Sequence, residues 1–402
     1  MKDDEWLVSV TAGKIQCHGI LEAKKLGYKI ISIDQDPNAL GFKISDKIIN
    51  LDLSKYDEII KIIRELNLKI VGSVCFCSEA GLILSAKIRK EFNLSGENEE
   101  TYKKFLNKGI QREILTKNLI SCPKKWEIVN NPNELKQSIL KFNYPVIIKP
   151  TESSGSRGVY KISSNDIKNL DTTIQNVFKY SKNNEVIIES FMSGYECTVE
   201  SFTEKGKTTI LAITEKLKVK NTNDLIAKEL RSFNRGSLLY NKISDLISNA
   251  IDVMGYENGP CHSEVIIMDN DEIGVVEIAA RGGGFIVFND LVPKVSGVNI
   301  SKLTILQAAG KKSSINIVEN NHVILRFILP REGKIKSITG YEKINNIKGL
   351  IAASFVEVGD IVNAVSCDGD RLGYILSYGK KYDNVEKRIN KYESLIKYEY
   401  DN

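Results

Sequence analysis

Three stretches of this chain gather the groups that phosphate and carboxylate chemistry needs. In the first, Pro145-Val-Ile-Ile-Lys149-Pro150 reads as a buried strand that delivers a lysine, and Thr151-Glu-Ser153-Ser154-Gly155-Ser156-Arg157-Gly158 follows as a Ser/Gly loop. Such a loop exposes backbone N–H groups that can cradle phosphates. It is not a Walker A loop, because the lysine precedes the glycines, and an ordinary flexible turn after a surface lysine would read similarly. In the second stretch, Glu189-Ser190-Phe191-Met192-Ser193-Gly194-Tyr195-Glu196 follows the strand-like Glu185-Val-Ile-Ile. Backbone at a strand end can read an adenine edge, and a carboxylate beyond the turn can accept ribose hydroxyls; a plain hairpin is the competing reading. The third runs from His262-Ser-Glu264 through a turn at Asp269 to Asp271 and on to Glu277-Ile-Ala279-Ala-Arg281-Gly282-Gly283-Gly284. Two adjacent strands there would set Glu264 beside Glu277. Like charges at a strand end are costly unless a cation joins them, and Mg²⁺ suits a carboxylate pair that holds ATP phosphates. Arg281, four residues on, can neutralise charge developing on a phosphoryl group or an acyl-phosphate.

The elements that must position these groups follow from the rest of the chain. At 402 residues the chain is long for one domain, and 42% hydrophobic with 27% charged residues is ordinary for folded soluble domains. The net charge of +5 comes from 56 basic and 51 acidic residues spread along the chain. Of the basic residues 11 are Arg and 45 Lys, so nucleic acid is not the expected partner. Seven cysteines show no disulfide framework, and the acidic start MKDDEWLVSV is wrong for a signal peptide. With no apolar run of membrane length, a cytoplasmic protein without a membrane partner is expected. Cys75 and Cys77 read as buried core. His18, His262 and His322 are far apart and form no HExxH, which disfavours a zinc hydrolase.

Residues 1–95 alternate apolar runs with amphipathic stretches, the pattern of a parallel sheet with helices on its faces. Thr11-Ala12-Gly13-Lys14 lies where a Rossmann-like fold places its ligand loop and Asp34 ends the second strand, yet GxGxxG is absent and no bound dinucleotide is expected. Residues 96–125 read as a helical connector stopped at Pro123. A small α+β module over 126–199, a larger strand-rich unit over 200–310 and a smaller β-rich segment over 311–402 complete the division. The expected class is therefore α/β and α+β multidomain.

Taken in order, these residues resemble the ATP-grasp superfamily of carboxylate–amine and carboxylate–thiol ligases over nearly the whole chain. The resemblance implies a Rossmann-like N-terminal domain, an ATP-grasp domain made of a lid and a larger subdomain, and a small β-rich C-terminal domain. It implies that Lys108 and Lys149 bind the nucleotide, with Ser153, Ser154, Gly155, Ser156 and Gly158 in a mobile loop over the phosphates. Glu189, Ser190, Phe191 and Met192 become the adenine hinge, Glu196 the ribose acceptor, and Lys216 a further phosphate-facing lysine. Glu264 and Glu277 become ligands of Mg²⁺, or of Mn²⁺ in its place, and Arg281 the transition-state and substrate arginine. His262, Gly282, Gly283 and Arg326 are the candidates for substrate contact.

Family members commonly read Glu-x-Asn-x-Arg where this chain has Glu277-Ile-Ala279-Ala-Arg281, which leaves one or two metals open. The E-x-A-A-R form is similar to L-amino acid ligases. The activity implied is ATP-dependent phosphorylation of a carboxylate and its coupling to an amine, on small-molecule substrates, in a homodimer. Three rivals stand beside it: a formate- or bicarbonate-using enzyme, an ATP-binding regulator, and a Rossmann dehydrogenase that the missing GxGxxG disfavours. The loops Asn221 to Gly236 and Gly282 to Pro293 are the expected substrate walls.

Overall fold

The computed structural model describes residues 4–219, 226–284, 286–365 and 367–401. Its first unit is a four-stranded parallel sheet, ordered Lys47–Asn50, Lys29–Asp34, Trp6–Val10, Ile70–Val74. Trp6–Val10, Lys29–Asp34 and Ile70–Val74 are largely buried without alternation because both faces are covered, while the edge strand Lys47–Asn50 buries only Ile49. Val8, Val10, Ile31 and Ile33 pack under the helices Tyr56–Glu65 and Leu82–Glu91. Leu7 and Ile30 on the other face join a core that continues through Phe288, Leu291 and Val292 to Leu325 and Leu376. The parallel sheet is thus fused to the rest of the molecule by shared apolar burial.

The loop after the first strand is closed on itself. Ala12 N donates to Asp34 Oδ2 at 2.7 Å, Asp36 N donates to Asp34 Oδ1 at 3.0 Å, and Gly41 N donates to Ala12 O at 2.7 Å. A Cβ at Gly41 would lie 2.6 Å from that carbonyl. Asp34 therefore serves the loop's own backbone.

Two helices lead into the next unit. Asn98 caps Glu99–Leu106, and Asn107 caps Lys108–Lys117 by accepting from Gly109 N and Ile110 N. The second helix ends at Lys117, earlier than a stop at Pro123, because Leu119 turns into the left-handed region at φ 58°. A four-stranded antiparallel sheet follows, ordered Trp126–Val129, Val186–Ser190, Val146–Pro150, Tyr160–Ile162. Helices Pro132–Ile139 and Leu170–Tyr180 cover it through Leu135, Ile139, Ile174 and Val177.

An eight-stranded antiparallel sheet forms the body. Its order is Ile273–Ala279, Asn258–Met268, Gly194–Glu204, Lys207–Lys218, Ala227–Ser232, His322–Ile328, Gly373–Gly379, Leu350–Ser354. It runs unbroken across the boundary placed at 310/311, because His322–Ile328 pairs with Ala227–Ser232. The stretch 189–196 is likewise no hairpin: Val186–Ser190 belongs to the smaller sheet and Gly194–Glu204 to the larger, so 191–193 is a crossing between them. At Gly194, with φ 152°, a Cβ would sit 2.0 Å from Ile267 O, so glycine is required where the chain enters the large sheet. Helix Leu238–Val253 seals one face of this sheet with Ile243, Ile247 and Ile251. Helix Tyr382–Tyr392 covers its far end with Val385 and Ile389, and a three-stranded sheet, Ile361–Val362, Gly333–Thr339, Lys397–Tyr400, closes the chain. Among the described residues no helix is long and apolar enough to cross a membrane.

Candidate active site

A cleft of about 990 Å³ opens between the smaller sheet, the large sheet and the parallel-sheet unit. The carboxylate pair is built by strand register. Glu264 on Asn258–Met268 stands opposite Glu277 on Ile273–Ala279, with an irregularity after Glu264 that leaves Val276 as an extra residue. The carbonyl of Val276 accepts from Arg112 Nη2. Both glutamates line the cleft.

Cations surround them. Lys108, first residue of its capped helix, is 4% exposed and lies 3.1 Å from Glu277 Oε1, and its Nζ donates to Ser153 O at 2.6 Å. Its own backbone N–H donates to Thr151 O at 2.9 Å, which joins the helix start to the loop after Lys149. Lys216 reaches Glu196 Oε1 at 2.5 Å and Glu264 Oε1 at 3.2 Å, and Lys218 reaches Glu196 Oε2 at 2.8 Å. Burial alone would lower the Lys216 pKa, but Glu196 and Glu264 outweigh it and push it up. Burial likewise works to raise the carboxyl of Glu264, while Lys216 and His262 hold it well below the usual carboxylate range.

At the back of the cleft, Glu189 pairs with Lys149 at 2.7 Å and with Arg112, and all three side chains are buried. Burial would raise the Glu189 pKa; Arg112 and then Lys149 outweigh it and bring it down to about 2. Burial also lowers the Lys149 ammonium below its ordinary value. The Glu189 carboxylate is thus a structural counterion, and what this stretch offers a ligand is Ser190, Phe191 and Met192 at the crossing. Lys161 stacks over Phe191 at 4.0 Å.

Of the loop residues, Ser153, Ser154, Gly155 and Ser156 line the cleft; Gly158 is absent from its wall and packs near Tyr180 and Pro150. His262 Nδ1 donates to Glu200 Oε1, and its Nε2 is 3.9 Å from Glu264 Oε1. Burial works against protonation of this imidazole, yet the two carboxylates raise it to about 9. Gly282 and Gly283 do not face the cleft. A Cβ at Gly282 would lie 1.9 Å from Phe288, and one at Gly283 would lie 2.5 Å from Glu200 Oε1. Their role is to let that turn pack, with Gly283 N donating to Glu200 Oε2 at 3.1 Å. Arg326 is a correction. It pairs with Glu229 and Glu393 and donates to Asn390, on the far side of its strand from the cleft-lining Phe327.

Several residues that line the cleft or stand behind its wall escape sequence reasoning. Arg112, Glu200 and Lys218 carry no motif of their own, although Lys218 shares the two-residue strand period of Lys216. Glu79 pairs with Arg281 at 2.9 Å, and Cys77, read from sequence as core, lines the cleft beside it. Arg371 and Asp368 reach the cleft from the C-terminal segment, with the Arg371 guanidinium 3.8 Å from the Phe327 ring centroid. Of the expected substrate walls, residues 221–225 and 285 lie outside the described residues.

The site fits a divalent cation in one specific way. Among the described residues no three His, Cys, Asp or Glu side chains converge as a metal cage. A pair of glutamate oxygens amid lysines instead suits Mg²⁺ held jointly by protein carboxylates and ligand phosphates.

A lid sheet closing over a large antiparallel sheet, with lysines and a carboxylate pair between them, defines an ATP-grasp fold. The ATP-grasp domain family matches residues 142–289, and the family of L-amino acid ligase C-terminal domain 2 matches residues 326–401. The chain carries both domains. The L-arginine-specific L-amino acid ligase of Bacillus subtilis is 25% identical over 297 residues, 71% of this chain and 70% of that protein. The formate-dependent phosphoribosylglycinamide formyltransferase of Methanocaldococcus jannaschii is 26% identical over 195 residues, 46% of this chain and 48% of that protein. The chain thus spans about half the length of that curated relative. The crystal structure of L-amino acid ligase from Bacillus licheniformis superposes with a TM-score of 0.85 at 20% identity, covering 100% of both chains. That likeness is one of fold.

Proposed function

We propose that this protein is an ATP-dependent ligase that phosphorylates a substrate carboxylate and couples the acyl-phosphate to an amine, with amino acids as substrates. The observation that carries the reading is the pairing of Glu264 with Glu277 across adjacent strands, facing Lys108, Lys149, Lys216 and Arg281 in one cleft.

Lys108 and Lys149 bind phosphate oxygens, and the backbone of Ser153 to Ser156 covers them. Glu264 and Glu277 hold Mg²⁺ or Mn²⁺, which when bound neutralises phosphate charge. A carboxylate oxygen of the substrate attacks the γ-phosphorus, the bond to the ADP oxygen breaks, and Arg281 stabilises the charge on the transferring group. The amine lone pair then attacks the acyl carbon, phosphate leaves with the bonding electrons, and the amine loses its proton. Acyl-phosphates hydrolyse, so the lid sheet excludes water while the intermediate exists.

Formate is a second substrate reading, favoured by the formate-dependent relative. The test is Mg²⁺-dependent release of ADP and phosphate with pooled L-amino acids, and in parallel with formate or bicarbonate. Release that needs amino acids supports the proposal. Release with formate alone replaces the substrate class, and no release under any condition overturns the ligase reading.

A further inference from the structure

Of the cleft carboxylates that have no part in this chemistry, Glu79 is the one beside Arg281. The loop after Ile70–Val74 brings Cys77, Ser78, Glu79 and Ala80 from the parallel-sheet unit to the wall beside Arg281. Glu79 Oε1 lies 2.9 Å from Arg281 Nη2, and the two side chains are 13% and 16% exposed. The contact is held on both sides: Gly282 N donates to Phe76 O at 2.9 Å, and Arg281 Nη1 donates to Gly282 O at 3.2 Å. Arg281 is the partner of Glu79 among the described residues.

A carboxylate at this place is costly for an enzyme whose ligands are a triphosphate and a simple carboxylate. Arg281 already feels Glu277 and Glu200, and a third negative group weakens its hold on the transferring phosphoryl group. The cost is offset when the substrate itself brings a cation. A guanidinium and a carboxylate side by side on one wall match the two charges of an α-amino acid, and formate and bicarbonate have no second charge to place there. Apolar Ile15 and Val287 line the same cleft and provide surface for a side chain.

We infer that Glu79 is a specificity-determining residue that recognises the ammonium group of the amino acid whose carboxylate is activated, an inference that rests on the ligase reading above. A site built to pair with a polar group rejects analogues that lack it far more strongly than an apolar pocket does.

The test uses the full chain with ATP and Mg²⁺, and hydroxylamine as the amine, which converts any acyl-phosphate into a hydroxamate. Two probes are compared: pooled L-amino acids and the matched pool of deaminated acids, from acetate and propionate to 3-phenylpropionate. Wild type is expected to form hydroxamates from the amino acids at least about tenfold better. In Glu79→Gln that ratio falls at least about tenfold and the amino-acid KM rises, with the KM for ATP unchanged; Glu79→Asp retains part of the ratio. A role confined to positioning Arg281 would slow both pools equally and leave the ratio intact, which overturns the inference. Equal use of both pools by wild type overturns it as well, with the ligase reading standing. Absence of both hydroxamate and ADP from either pool overturns that reading and this inference together.

Discussion

Two strand-end loops in this molecule have similar sequence and opposite fates. Thr11-Ala12-Gly13-Lys14 follows the first strand of the parallel sheet, and Ser153-Ser154-Gly155-Ser156 follows Val146–Pro150 in the lid. In the first, Asp34 accepts from Ala12 N and Asp36 N, the carbonyl of Ala12 accepts from Gly41 N, and Gly41 packs so closely that no Cβ fits. In the second, the four residues face a cleft, and Gly155 has nothing within 4 Å of where a Cβ would stand. A strand followed by small residues and glycine can offer backbone donors to a ligand only where those donors have not already found partners inside the fold.

The largest expected effect lies at the open end. Glu277→Gln keeps the shape and hydrogen-bonding capacity of the side chain and removes the charge that a divalent cation needs. Metal-dependent ADP release should fall by about 10²–10³-fold, the range seen when one stabilising electrostatic group is lost from a transition state. The thermal midpoint should barely move. Near-normal turnover in this variant would remove the carboxylate pair from the mechanism.

Next comes the buried triad behind the cleft. Glu189→Gln leaves Arg112 and Lys149 buried without their counterion and should cost about 3–5 kcal/mol of stability. The pH dependence has a definite sign. The Glu189 pKa is about 2, depressed from an ordinary 4.5, so the wild-type carboxylate stabilises the fold fully above about pH 5 and loses that contribution as pH falls toward 2. The gap between the denaturation midpoints of wild type and Glu189→Gln should be constant from pH 5 to 7 and narrow in acid. A gap that widened below pH 5 would contradict the ionised triad.

What the sequence allowed follows the range of the interactions involved. Glu264 beside Glu277 was readable only to within one residue: the short turn sets an antiparallel register that would bring Val276 opposite Glu264, and the extra residue at Val276, which no sequence period announces, puts Glu277 there instead. Lys149 was readable because a strand delivers it just before a Ser/Gly loop. Glu79 and Arg281 are 202 positions apart, as Arg112 and Glu189 are 77 apart, and no local period links them. The crossing at 191–193 was also out of reach. A strand, a glycine and a second strand describe a hairpin equally well, and the difference lies in distant partners: Val186–Ser190 is flanked on both sides in the smaller sheet, and Gly194–Glu204 lies between Asn258–Met268 and Lys207–Lys218 in the larger.

At the closed end, Asp34→Ala should destabilise the fold by about 1–3 kcal/mol, because the N–H of buried Ala12 loses its partly buried acceptor. The KM for ATP should be unaffected. A rise in that KM would reopen the first loop as a nucleotide contact.

The smallest effect is expected at Arg326, read from sequence as a substrate contact. Its guanidinium spans Glu229, Glu393 and Asn390, linking the strand Ala227–Ser232 to the end of helix Tyr382–Tyr392. Lysine keeps the charge and loses the fork that reaches these partners at once. Arg326→Lys should therefore lower stability by about 1 kcal/mol and leave kcat and both substrate KM values unchanged, since the neighbouring Phe327 is the residue of that strand that faces the cleft. If the variant instead raised a substrate KM while its urea midpoint stayed at the wild-type value, the strand would have to present Arg326 to the cleft during turnover, and the division between a structural and a ligand-facing side of the large sheet would fail at that position.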